Sequence, residues 1–184
     1  MGDQRLGRLV RVVALACIAL LTGCEDGGGG GGGGGGGPDG SCSPSADRCP
    51  GETICISGRC ESAFGRLYSI VDVSVSVPTT DGAGDAWDAF GGAPDLFVTV
   101  LVNGSIVGTS TTRSDTFSAN FSGPYNATLI GGSDLVVEVW DEDVSVNDRI
   151  FTCSASPISA DLLRGRSLRC NSGGFAVSFQ IDPR

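Results

Sequence analysis

"VVEVWDEDVSVNDRIF" (136–151) is the stretch on which the fold is read. It begins as the period-2 pattern of a β-strand and then gathers four acids, Asp141, Glu142, Asp143 and Asp148, within eight positions. Two carboxylates about 4 Å apart repel by roughly 4 kcal/mol at an effective dielectric of about 20. A loop that holds several of them therefore calls for a compensating cation.

Working outward, the same period-2 pattern recurs on both sides. Val71, Val73, Val75 and Val77 alternate with Asp72, Ser74 and Ser76, which gives a strand one buried face. "LFVTVLVN" (96–103) is apolar on both faces, as a central strand would be. "TFSANF" (116–121), "LVVEVW" (135–140) and "FAVSFQI" (175–181) alternate again, separated by the turn signals "NGS", "SGP" and "GGSD". Further strands are expected around 105–112, 126–130 and 149–152, and "SADLLRG" (159–165) is the best short helical segment. The expectation for residues 63–184 is all-β: an eight-stranded antiparallel β-sandwich.

A second loop, "PTTDGAGDAWDAFGGAPD" (78–95), carries Asp81, Asp85, Asp88 and Asp95 between two expected strands. Loops at one end of a sandwich converge although they are far apart in sequence. Calcium suits such a rim, because it is a hard cation that takes about 6–8 oxygen ligands in irregular geometry. At these residues the chain resembles a C2 domain. "WDAFGGAPDLFVTV" (87–100) is similar to the first calcium loop of that family, and "VWDEDVSVNDRIF" (139–151) to the third. The resemblance implies a C2-like sandwich with Ca²⁺ held by Asp88 and Asp95 from loop one and Asp141, Asp143 and Asp148 from loop three. Leu96 stands where the family has proline, and Phe151 where it commonly has glycine. The Asp88 to Asp95 interval is also one residue longer than the family's usual spacing. These departures bear on the number of ions more than on the fold.

The N-terminal residues read as an export signal. Arg5, Arg8 and Arg11 precede an apolar run, "VVALACIALL" (12–21), too short to span as a mature helix, and "LTGC" (21–24) follows. That tetrapeptide resembles a bacterial lipobox, which implies a signal peptide over 1–23 and lipid on Cys24. Lipid there would hold the chain on the inner or outer membrane of a bacterial cell envelope, on the exported face. Residues 24–41 form a linker whose eleven consecutive glycines (27–37) bury no apolar surface. Such a run spans ~18 Å as a coil and about 36–40 Å at full stretch.

With Cys17 in the signal peptide and Cys24 lipidated, six cysteines remain, an even number that suits disulfides in an exported protein. Cys42, Cys49, Cys55 and Cys60 form a small module over 42–62, with three pairings open to them. Zinc is a poorer fit there, since the module has neither a C-x2-C pair nor histidine. The module reads as a spacer or a protein-binding knob. Cys153 and Cys170 suit a third disulfide that braces the loop end of the sandwich.

The chain carries 21 acidic and 12 basic residues, all of the latter arginine, for a formal net charge of −9. Cleavage after Gly23 would remove one aspartate and three arginines, leaving −11. An acidic chain without basic clusters argues against nucleic acid as a partner. With no histidine, no Ser/His or Cys/His pair is available, and neither a G-x-S-x-G elbow nor a Walker loop occurs. The chain reads as a non-enzyme. Its expected partners are a membrane, through the N-terminal lipid and the calcium loops, or a protein of the envelope. Trp87 and Phe90 in loop one and Val144 and Val146 in loop three would form an apolar tip for insertion. For Trp87, packing on the glycine-rich turn competes with that role.

Overall fold

The computed structural model describes residues 41–81, 83–87, 92–143 and 146–184. Cys24, the glycine run 27–37, Asp88, Phe90 and Val144 lie outside the described residues. No described helix is long and apolar enough to cross a membrane.

Period-2 burial builds two antiparallel sheets. The first has β5 (Ser105–Thr109), β4 (Leu96–Val102), β8 (Leu135–Asp141) and β9 (Asp148–Ala155) in that order. The second runs β10 (Ser167–Ser172), β11 (Phe175–Pro183), β3 (Arg66–Ser76), with β6 (Ser118–Phe121) and β7 (Tyr125–Leu129) end to end along the far edge of β3. Leu96, Val98, Val100 and Val102 of β4 and Leu135, Val137 and Val139 of β8 face inward. They meet Tyr68, Ile70, Val73, Val75, Phe121, Leu129, Phe179 and Ile181 in one continuous core. All eight expected strands are present. The sandwich has a ninth, β10, whose "SLRCNS" buries no side chain fully and so leaves no periodic signal.

The expected single face of Val71, Val73, Val75 and Val77 breaks at Asp72. Asp72 adopts φ 51°, and the register against β11 shifts between Ser178 and Gln180. The resulting bulge flips the strand, so that Tyr68 and Ile70 point inward on its N-terminal side and Val71 is only half-buried. Asp72 tolerates the left-handed region better than a β-branched residue would.

The cysteine-rich module is a hairpin of β1 (Thr53–Ile56) and β2 (Arg59–Ser62). Its pairing is Cys42–Cys55 and Cys49–Cys60, and the Asp47 carboxylate accepts the amides of Cys49 and Cys55 at 3.1 and 2.6 Å. The hairpin packs on the sandwich: Ile54 belongs to the common core. Arg164 and Arg166 donate to the carbonyls of Gly51 and Cys55 at 2.6 and 2.7 Å. Both arginines belong to the C-terminal end of α1 (Ala160–Gly165), which Ser159 caps by accepting from the Leu162 amide and whose Leu163 is buried. Cys153–Cys170 joins β9 to β10, edge to edge across the two sheets, well along β9 from its rim end. It closes the sandwich side and not, as expected, the loop end.

Candidate metal centre

Strand register brings the acidic loops together. Loop one delivers Asp95 to the start of β4, where Leu96 pairs with Asp141 at the end of β8. Asp141 in turn pairs with Asp148 at the start of β9. An irregularity between Val139 and Trp140 sets that last register at the edge of the rim. Three of the five sequence-selected aspartates therefore meet at one pole.

Hydrogen bonds fix them further. The Asp95 amide donates to Asp141 Oδ1 at 2.7 Å, and the Glu142 amide donates to the Asp95 carbonyl at 2.9 Å. Asp141 continues the inward face of β8 after Leu135, Val137 and Val139 and is only 3 % exposed, so its carboxylate sits at the mouth of the core. Asp143 is half-buried, and its amide donates to Asn147 Oδ1 at 3.2 Å, which braces loop three. Asp148 is exposed.

Two residues of this scaffold carry no readable signal in the sequence. Asp115, in the loop 110–117, donates its amide to Asp95 Oδ1 at 2.7 Å and accepts the Ala93 amide on its own Oδ1 at 2.9 Å. It adopts φ 51° to do so. Asn147 is the other, an amide inside the loop-three motif that the acidic spacing passes over. Asp81 and Asp85, by contrast, close a local turn: Asp81 Oδ1 accepts the amides of Ala83 and Asp85 at 2.9 and 2.8 Å.

Among the described residues, no three carboxylates place oxygens within 4.8 Å of one another. The grouping that meets that distance is Cys42, Cys49 and Cys60, all disulfide-bonded. The rim is thus an open set of oxygen donors, oriented by backbone amides. Oxygen-only donors fit a hard divalent cation. One amide bond orients a carboxylate without exhausting its roughly four acceptor positions.

Of the tip residues, Val146 is 71 % exposed. Trp87 is half-buried: its indole N–H donates to the Pro78 carbonyl at 2.9 Å, and its ring meets Phe175 edge-on at 6.2 Å. Phe175 stacks in turn on Phe151 at 5.2 Å. Trp87 thus packs against Phe175 of the sandwich.

No protein-family profile and no curated protein matches the chain. Solved structures do resemble it. A C2 domain aligns with TM-score 0.51 and 15% identity over 64% of this chain and 97% of its own. The tandem C2 domains of extended synaptotagmin 2 align with TM-score 0.50 and 15% identity, over 65% of this chain and 41% of theirs. Human GIVD cytosolic phospholipase A2, solved with a fluorophosphonate inhibitor and terbium chloride, aligns with TM-score 0.51 and 13% identity. That match covers 65% of this chain and 17% of the enzyme. The fold is C2-like.

Proposed function

We propose that the chain is an envelope-anchored lipoprotein whose C2-like module binds calcium at its acidic rim and, through calcium, a phospholipid surface or a protein. One observation carries this reading: the amide of Asp95 seated on the carboxylate of Asp141, which joins loop one to loop three. Asp95, Asp141, Asp143 and Asp148 would hold the ion, with Asp88 as the fifth ligand expected from the sequence. A bound divalent ion supplies positive charge where an acidic chain would otherwise repel an anionic partner. The exposure of Val146 supports an apolar contact at the same tip. Catalysis forms no part of the proposal; the chain has no histidine, and six of its cysteines are in disulfides.

Calorimetric titration of the full-length chain with Ca²⁺ tests the metal. Saturable heat with a raised melting temperature is expected; neither would end the reading. Co-sedimentation with phosphatidylserine vesicles, using a Cys24→Ser chain that takes no lipid, tests the partner. A second reading, a protein-interaction domain with a structural calcium site or none, draws on the inward packing of Trp87. It also draws on the spread of the carboxylates. Calcium-induced stabilisation without vesicle binding would favour it.

A further inference from the structure

Beside the carboxylate rim, the edge of β5 and the break between β6 and β7 line an open pocket of about 410 Å³. Its polar lining is Thr109, Ser110, Thr111, Arg113, Ser122 and Tyr125, and no carboxylate among the described residues contributes to it. In a chain with 21 acids against 12 arginines that is a local reversal of charge.

Arg113 supplies the positive charge. Its backbone is locked to Leu96, donating to the Leu96 carbonyl at 2.7 Å and accepting the Leu96 amide at 2.9 Å. Its guanidinium has no hydrogen-bond or ion-pair partner among the described residues. Arg66, Arg149 and Arg164 are committed to Glu61, Glu138 and Asp161, while Arg166 and Arg184 are bonded to Cys55 and Ser69.

Two glycines let the opposite wall pack closely. A Cβ on Gly108 would lie 2.4 Å from Tyr125 Cδ1, so only glycine lets that ring lie against β5. Gly123 adopts φ 73°, and a Cβ there would meet the Ile70 carbonyl at 2.7 Å. Ser110 Oγ accepts the Val98 amide at 2.9 Å, which fixes that hydroxyl at the cavity edge. Burial raises the Tyr125 phenol above its usual pKa against the opposing effect of a hydrogen bond with Ser110, so it stays protonated at neutral pH.

One arginine and several hydroxyl residues on the same lining offer the donor types a phosphate group takes, paired N–H bonds from a guanidinium and O–H donors. The volume falls within the roughly 300–1,000 Å³ of small-molecule sites and so admits an ester carrying a small alcohol. We propose that this cavity is a calcium-independent binding site for a phosphate monoester, with Arg113 as the anion anchor. Arg113 borders the acidic rim through Leu96, but none of the proposed calcium ligands lines the cavity, so the two sites are tested apart in EDTA. A soluble phosphate ester and a phosphatidic acid headgroup share the chemistry.

The test uses the full-length Cys24→Ser chain in EDTA, titrated calorimetrically with glycerol 3-phosphate. The same chain is sedimented with phosphatidylcholine vesicles with and without phosphatidic acid. Binding in either arm is expected, weakened roughly tenfold by Arg113→Gln and unchanged by Asp143→Asn. Binding of the free ester identifies a soluble source, and binding to phosphatidic acid vesicles alone a lipid one. Absence of binding in both arms, or an Arg113→Gln chain that binds like the parent, would overturn the proposal. So would equal weakening by Asp143→Asn. Failure of the calcium reading would show separately, as missing heat on Ca²⁺ addition.

Discussion

Asp141 sits at the crossing point of the rim, buried on the inward face of β8, opposite Asp148 and under the Asp95 amide. Like charges directly opposite each other in an antiparallel pair are destabilising, and on the proposed calcium reading a bound divalent cation would relieve that repulsion. Asp141→Asn keeps an oxygen for the Asp95 amide and removes the charge. Calcium affinity should fall by roughly tenfold or more, while the melting temperature in EDTA stays level or rises. A drop in that EDTA value would assign Asp141 a purely structural role. The residues that make this rim were readable where strand and loop patterns meet, as at Asp95, Asp141 and Asp148. Asp115 and Asn147 were not, because their contributions depend on which loop lies across from them. Tyr68 gives a second prediction at this scale. Its buried hydroxyl donates to the Ala63 carbonyl at 2.6 Å, and burial pushes its pKa up from 10.0 to about 12, with Arg66 and Arg166 opposing. The folded state thus keeps a proton that the unfolded chain releases above pH 10. The stability tied to it is complete below pH 10 and declines as pH rises toward 12, by roughly 3 kcal/mol. Tyr68→Phe should flatten most of that alkaline decline, leaving the smaller part due to Tyr125, and cost about 1 kcal/mol at neutral pH. Urea midpoints from pH 8 to 12 measure both.

Among the elements, legibility followed burial. β4 and β8 lie in the interior of their sheet, with Leu96, Val98, Val137 and Val139 buried at every second position, and such strands announce themselves in sequence. β10 is an edge strand with no fully buried side chain, and its pairing with β11 is visible only in three dimensions. The bulge at Asp72 hid for a different reason: alternation in "VDVSVSV" continues through it, while the backbone changes face. The cysteine module reads in sequence as a spacer or a protein-binding knob, and only the structure shows that Ile54 shares the sandwich core. The Cys153–Cys170 bridge ties edge strand β10 to edge strand β9, which between them bury only Cys153 fully. Cys153→Ala/Cys170→Ala should lower stability by roughly 3 kcal/mol in the chain-entropy model. Because the opened unfolded chain is more expanded, the urea m-value should rise together with the fall in midpoint. A fall in midpoint at constant m would place the effect in the packing of Cys153 and not in the unfolded chain.

Charge is the property that belongs to the molecule as a whole. At −9 the chain repels itself in the compact state, and any cation relieves some of that by screening. Specific calcium binding differs from screening in size and in concentration dependence. Ligand bound only to the folded state stabilises by about 2.7 kcal/mol at a hundredfold excess over its dissociation constant. For a folded part of about 150 residues that corresponds to a melting temperature raised by roughly 5–10 °C. The shift should grow logarithmically with Ca²⁺, be absent with an equal ionic strength of NaCl, and be lost in the Asp141→Asn chain. Differential scanning calorimetry of the full-length chain in EDTA, NaCl and Ca²⁺ separates the two effects. If NaCl at matched ionic strength reproduces the calcium shift, the rim acts only as part of a diffuse negative surface, and the convergence of Asp95 on Asp141 is then a device for joining two loops.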